Sequence, residues 1–74
     1  MAYDYSKLLG RIIEKFASRG SFATAMGLSE RSMSLKLNNQ VDFKQSEISK
    51  ACELLEVDEA DIPSYFFTLL VQAN

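Results

Sequence analysis

The chain has no histidine, no tryptophan, one cysteine, one proline and three glycines. Without histidine the commonest general base is missing, as are the Ser–His and Cys–His pairs that activate nucleophiles. A lone Cys52 forms no internal disulfide and, with no imidazole to join it, no Cys/His zinc site. No apolar run approaches the roughly eighteen residues of a membrane span, and the N-terminus lacks the hydrophobic stretch of a signal peptide. No cofactor motif is present either. An enzyme of 74 residues built this way would have carboxylates alone to work with. The expectation is a cytoplasmic, non-enzymatic protein with no cofactor, no metal and no membrane.

What is present is an ordinary globular composition, 47% hydrophobic and 24% charged, enough for one domain with one small core. The net charge of −2 conceals an asymmetry. Residues 1–50 hold all eight Lys and Arg against five acids (Asp4, Glu14, Glu30, Asp42, Glu47), a balance of +3. Residues 51–74 hold no base and five acids (Glu53, Glu56, Asp58, Glu59, Asp61). A segregated chain can present a positive face that a uniformly acidic one cannot.

Hydrophobic spacing predicts five helices. Leu8, Leu9, Ile12, Ile13 and Phe16 recur at helical intervals over Tyr5 to Ala17, with Asp4 or Ser6 as the cap. Ser18 caps a short second helix that buries Phe22, Ala23 and Met26, and Gly27 stops it in the left-handed conformation. Ser29 caps a third helix from Glu30 to about Asn38, with Met33 and Leu37 inward and Asn38–Asn39 as the stop. Asp42 and Gln45 have capping-box spacing, which places a fourth helix from there to Leu55, burying Ile48, Ala51, Cys52 and Leu55. Asp58 caps a short fifth helix ending at Pro63.

The tail, 64–74, reads as an extension. Ser64–Gln72 is aromatic and β-branched, with Tyr65, Phe67, Leu69 and Val71 on one face if extended. Such a strand must pair, either with Ala2–Tyr5 or with a second copy; a helix would instead align Phe66, Leu69, Leu70 and Ala73. The strand is the preferred reading.

Residues 18–38 thus have the form of a helix-turn-helix: two short helices, a tight turn through Gly27, and small Ala23 at their closest approach. In such a unit the first helix braces on the DNA backbone and the second enters the major groove. The amino end of the second helix here is Ser29-Glu30-Arg31-Ser32-Met33-Ser34-Leu35.

Phe22-Ala23, Met26-Gly27-Leu28-Ser29, Met33 and the Asn-Asn stop resemble the helix-turn-helix of the phage repressor and Cro family. The whole chain is similar to short regulators from temperate phages of Gram-positive bacteria, in which segments like Gly27–Ser32 and Tyr65–Leu69 recur. The resemblance implies an all-α, phage-repressor-like fold. By position it implies base reading by Ser29, Glu30, Arg31 and Leu35. Arg31 would suit guanine, Glu30 cytosine N4 and Leu35 a thymine methyl. Arg19 stands where the family has a backbone-clamping Gln. Ser18, Ser32, Asn38, Asn39 and Lys44 are the further phosphate candidates. Lys36 departs from the pattern, since most members bury an apolar residue there; it suggests that the third helix is rotated or shifted onto Leu37.

Two functions follow from the resemblance. The first is a Cro-like regulator of the lysis–lysogeny switch that binds double-stranded operator DNA, as a homodimer through the C-terminal segment, inside the bacterial host. The second is an antirepressor that binds the phage repressor protein through the third helix and Leu35. The acidic pI of 4.9 favours the second more than a Cro-like protein would lead one to expect. Several readings need no ligand at all. Glu30 stabilises its own helix through the dipole, Cys52 is a small core residue, and the acids from Glu53 to Asp61 form a solvated face.

Overall fold

The computed structural model describes residues 2–70. It is all-helical: α1 (Ser6–Phe16), α2 (Arg19–Met26), α3 (Glu30–Leu37), α4 (Gln45–Leu55), a 3-10 turn (Glu59–Asp61) and α5 (Ile62–Phe66). The core draws on every helix, with Leu8 and Ile12 from α1, Phe22 and Met26 from α2, Met33 and Leu37 from α3, Ala51 and Leu55 from α4, and Phe66 from α5.

Local chemistry explains most of the boundaries. Asp4 Oδ1 accepts the Ser6 amide at 2.9 Å and so closes the start of α1, while Tyr5 holds the N-cap position. Ser18 and Ser29 each accept an amide three residues on, both at 3.1 Å. Gly27 ends α2 at φ +75°, and the next amide, Leu28, donates to Ala23 O at 2.9 Å. Ala17, Asn39 and Glu56 also take positive φ at helix ends, where a carbonyl-satisfying turn outweighs the strain on a side chain.

Four expectations need correction. Ile13 is exposed, because it lies about 120° round the helix from the Leu8–Ile12 midline, beyond the face that the other helices cover. Helix α4 starts later than the Asp42–Gln45 pairing implied. Lys44 is its N-cap and Glu47 accepts the Lys44 amide at 2.8 Å, while Phe43 and Ile48 have the spacing of a hydrophobic staple. Pro63 begins a helix rather than ending one, because the second position of α5 needs no amide.

Finally, the tail is not a strand from 64 onward. Ser64–Phe66 is helical and Phe66, not Phe67, enters the core. What remains of the strand is one antiparallel bridge, Tyr3 to Leu69, made with the N-terminal stretch. Val71 and Gln72 lie outside the described residues.

Candidate functional site

Helices α2 and α3 pack together through the Gly27 turn, as a helix-turn-helix requires. Ser18, Arg19, Gly20, Glu30, Met33 and Ser34 line a cleft of about 280 Å³ where the two amino ends meet. The structure therefore brings Ser18, Arg19 and Glu30 together. Arg31, Asn38 and Lys44 are exposed outside this cleft, as is Ser29, whose hydroxyl oxygen is the α3 cap. Ser32 and Leu35 are half-buried, so Leu35 offers less apolar surface than a protruding contact would.

Two of the residues singled out from sequence turn out to be engaged within the chain. Both polar atoms of the Asn39 side chain are used on Tyr3: Oδ1 accepts its amide at 2.8 Å and Nδ2 donates to its carbonyl at 2.9 Å. This amide closes one edge of the Tyr3–Leu69 bridge, so Asn39 is a poor phosphate donor. Lys36 is not turned outward by a rotated α3; it is buried. Its ammonium lies 3.0 Å from Glu47 Oε1 and donates to the Asp42 carbonyl at 3.1 Å. Burial pushes the Glu47 carboxyl up, but the Lys44 amide and the Lys36 ammonium outweigh it and hold the group below its ordinary value. The position where the phage-repressor resemblance leads one to expect an apolar residue is thus filled by the Lys36 stem, with its charge paired inside.

The cations are largely committed elsewhere. Arg11 pairs with Glu14 and donates to Leu55 O at the end of α4, and Lys15 pairs with Glu56 at 2.6 Å. Lys7 sits over the Tyr65 ring at 4.6 Å. The sequence's split into basic and acidic halves is in this way partly folded back on itself. Among the described residues, Arg19, Arg31, Lys44 and Lys50 are the exposed cations of the α2–α3 neighbourhood with no ion pair, Lys50 lying 3.5 Å from Met26 O at the end of α2.

A second surface was read only in part from the sequence, as the Phe67–Leu69 face of the tail. Phe67, Tyr3, Tyr5, Phe43 and Phe66 form a chain of rings, each 5.4–6.2 Å from the next, three of the four contacts edge-to-face. Beside it runs an open cleft of about 660 Å³ whose apolar wall is Phe43, Ile48, Ile62 and Phe67. Phe67, Leu69 and Leu70 are each about half exposed, at 48%, 49% and 51%. The staple pair Phe43 and Ile48 was the available signal, since it sets two large apolar groups side by side at the start of α4.

Residues 1–69 match the family described as "Protein of unknown function (DUF739)". The chain belongs to the DUF739 family. Among solved structures this DUF739 chain is similar to the solution structure of the modulator of repression (MOR) of the temperate bacteriophage TP901-1 from Lactococcus lactis. The identity is 56%, the match covers 97% of each chain, and the TM-score is 0.82. No curated protein matches. The temperate-phage resemblance of Gly27–Ser32 and Tyr65–Leu69 therefore meets a likeness to a temperate-phage modulator of repression.

Proposed function

We propose that this chain is an antirepressor of a temperate phage: it binds the phage repressor protein in the host cytoplasm and modulates its hold on operator DNA, without chemistry of its own. The observation that carries the reading is the likeness to a modulator of repression along nearly the whole chain. The docking surface is the aromatic face around Phe43 and Phe67, continued by Leu69 and Leu70. Aromatic groups are enriched at the cores of protein interfaces, and contiguous exposed apolar surface on a small domain marks a contact site. This moves the contact away from Leu35, whose half-burial leaves α3 with mostly short polar groups. Self-association through the same C-terminal segment is the competing use of this face.

A Cro-like operator-binding role is the second reading, favoured by the tight α2–Gly27–α3 unit with Arg19 and Arg31 exposed. Electrostatics weigh against it. With Arg19, Arg31, Lys44 and Lys50 as its phosphate contacts, the salt slope would be only about −3.6, below the about −5 to −9 of a protein making six to ten such contacts. Calorimetric titration against a cognate repressor separates the two. Under the antirepressor reading Phe67→Ala weakens the complex at least about tenfold, a hot-spot loss of about 1.4 kcal/mol or more, while Arg31→Ala leaves it within about twofold. Loss on Arg31→Ala with none on Phe67→Ala overturns this choice of surface.

A further inference from the structure

We infer that Glu30 is a specificity-determining residue that keeps duplex DNA off the α2–α3 pair. The inference rests on the reading of the chain as a protein-binding antirepressor, and it explains how a helix-turn-helix geometry is retained without its usual ligand. Glu30 is the first residue of α3, yet its carboxylate lies across the cleft on α2. A Cβ built on Gly20 would collide with Glu30 Oε1 and lie 3.3 Å from its carboxyl carbon. The bare Cα of Gly20 is what makes room for the carboxylate there.

Helix α2 has no acid in its own first turn, so Glu30 supplies that negative charge from the neighbouring helix. Arg19 lines the same cleft, but Glu30 has no ion-pair partner among the described residues. In a helix-turn-helix complex the first helix meets the DNA backbone, and the phosphate oxygens seek donors on its exposed turns. Here a carboxylate already stands on that surface. An approaching phosphate meets a like charge, which cancels half of what Arg19 and Arg31 bring to this face.

The test is anisotropy of a short fluorescent duplex at low salt, titrated with the wild-type chain, Glu30→Gln and Glu53→Gln. Glu53 is an exposed acid of α4, so its replacement makes the same change in net charge away from the cleft. Glu30→Gln is expected to bind duplex about tenfold more tightly than wild type, and Glu53→Gln to change affinity less than about twofold. Glu30→Ser, which keeps a good residue at the helix start, should repeat the gain; helical circular dichroism establishes that each variant is folded. Equal effects of Glu30→Gln and Glu53→Gln, or no gain from either Glu30 variant, would overturn the inference. A wild-type chain that binds operator tightly and salt-dependently would instead overturn the antirepressor reading. Repressor binding by Glu30→Gln, expected within about twofold of wild type, tells the two failures apart.

Discussion

Replacing Glu47 by Gln leaves the Lys36 ammonium buried without its carboxylate. The Lys36 side chain is 6% exposed and that of Glu47 15%, so water replaces little of what is lost. Breaking a buried pair from one side typically costs about 3–5 kcal/mol. The Asp42 carbonyl still accepts from Lys36, and a Gln oxygen can still accept the Lys44 amide, which brings the expected cost to about 2–3 kcal/mol. A domain of this size has about 4–11 kcal/mol of stability in all. The midpoint should therefore fall by about 10–20 °C in a thermal melt followed by circular dichroism. Lys36→Met keeps the stem and removes the charge, leaving Glu47 its amide donor and partial exposure, so it should cost about 1 kcal/mol or less. The pH dependence follows from the depressed Glu47 value. Its contribution is complete above the unfolded value of about 4.3 and is lost as pH falls through the folded value. The Glu47→Gln penalty should accordingly be full at neutral pH and fade in acid. A Lys36→Met loss as large as that of Glu47→Gln, or a Glu47→Gln penalty unchanged in acid, would refute the buried-pair account.

Other perturbations test single backbone features. Gly27→Ala puts a side chain at φ +75° with nothing nearer its Cβ than Lys50 Nζ at 4.0 Å, so the cost is backbone strain alone, about 1–2 kcal/mol by urea denaturation. The reverse change, Ala17→Gly, relieves φ +69° and should stabilise by up to about 1 kcal/mol in the same assay. Asn39→Ala frees both polar groups of the Tyr3 backbone and should cost about 1–2 kcal/mol, with faster hydrogen exchange at the Tyr3 amide as the specific mark.

What the sequence made legible was local. Ser18, Gly27 and Ser29 act within three or four residues of themselves, so their capping roles are written in the spacing, and with them the α2–α3 unit. The buried positions Phe22, Met26, Met33 and Leu37 followed from the same periodicity. What escaped depends on distant partners. Lys36 reads as a surface residue until Glu47, on another helix, supplies its counter-charge. Asn39 reads as a helix stop or a phosphate donor until Tyr3, 36 residues away, takes both its polar atoms. The tail was legible in its pairing with the N-terminal stretch, which the Tyr3–Leu69 bridge makes, but not in its helical start. Its aromatic content matched a strand, but the proline favoured a helical start, and the core had room for Phe66 at the depth that α5 reaches. Of the candidate site, Ser18, Arg19 and Glu30 were each singled out, but in different roles, and their meeting in one cleft was not legible. The aromatic face was legible where the tail meets the N-terminal stretch, but not at Phe43, which joins it from the start of α4.

The most direct test of the central claim is an operator-shift titration, with this chain added alone and then to a preformed complex of cognate repressor and operator, at two salt concentrations. The account predicts no shift by the chain alone, and release or altered migration of the repressor complex that Phe67→Ala abolishes. A discrete shift by the chain alone that weakens with salt, its slope reduced by about one unit in Arg19→Ala, would contradict it.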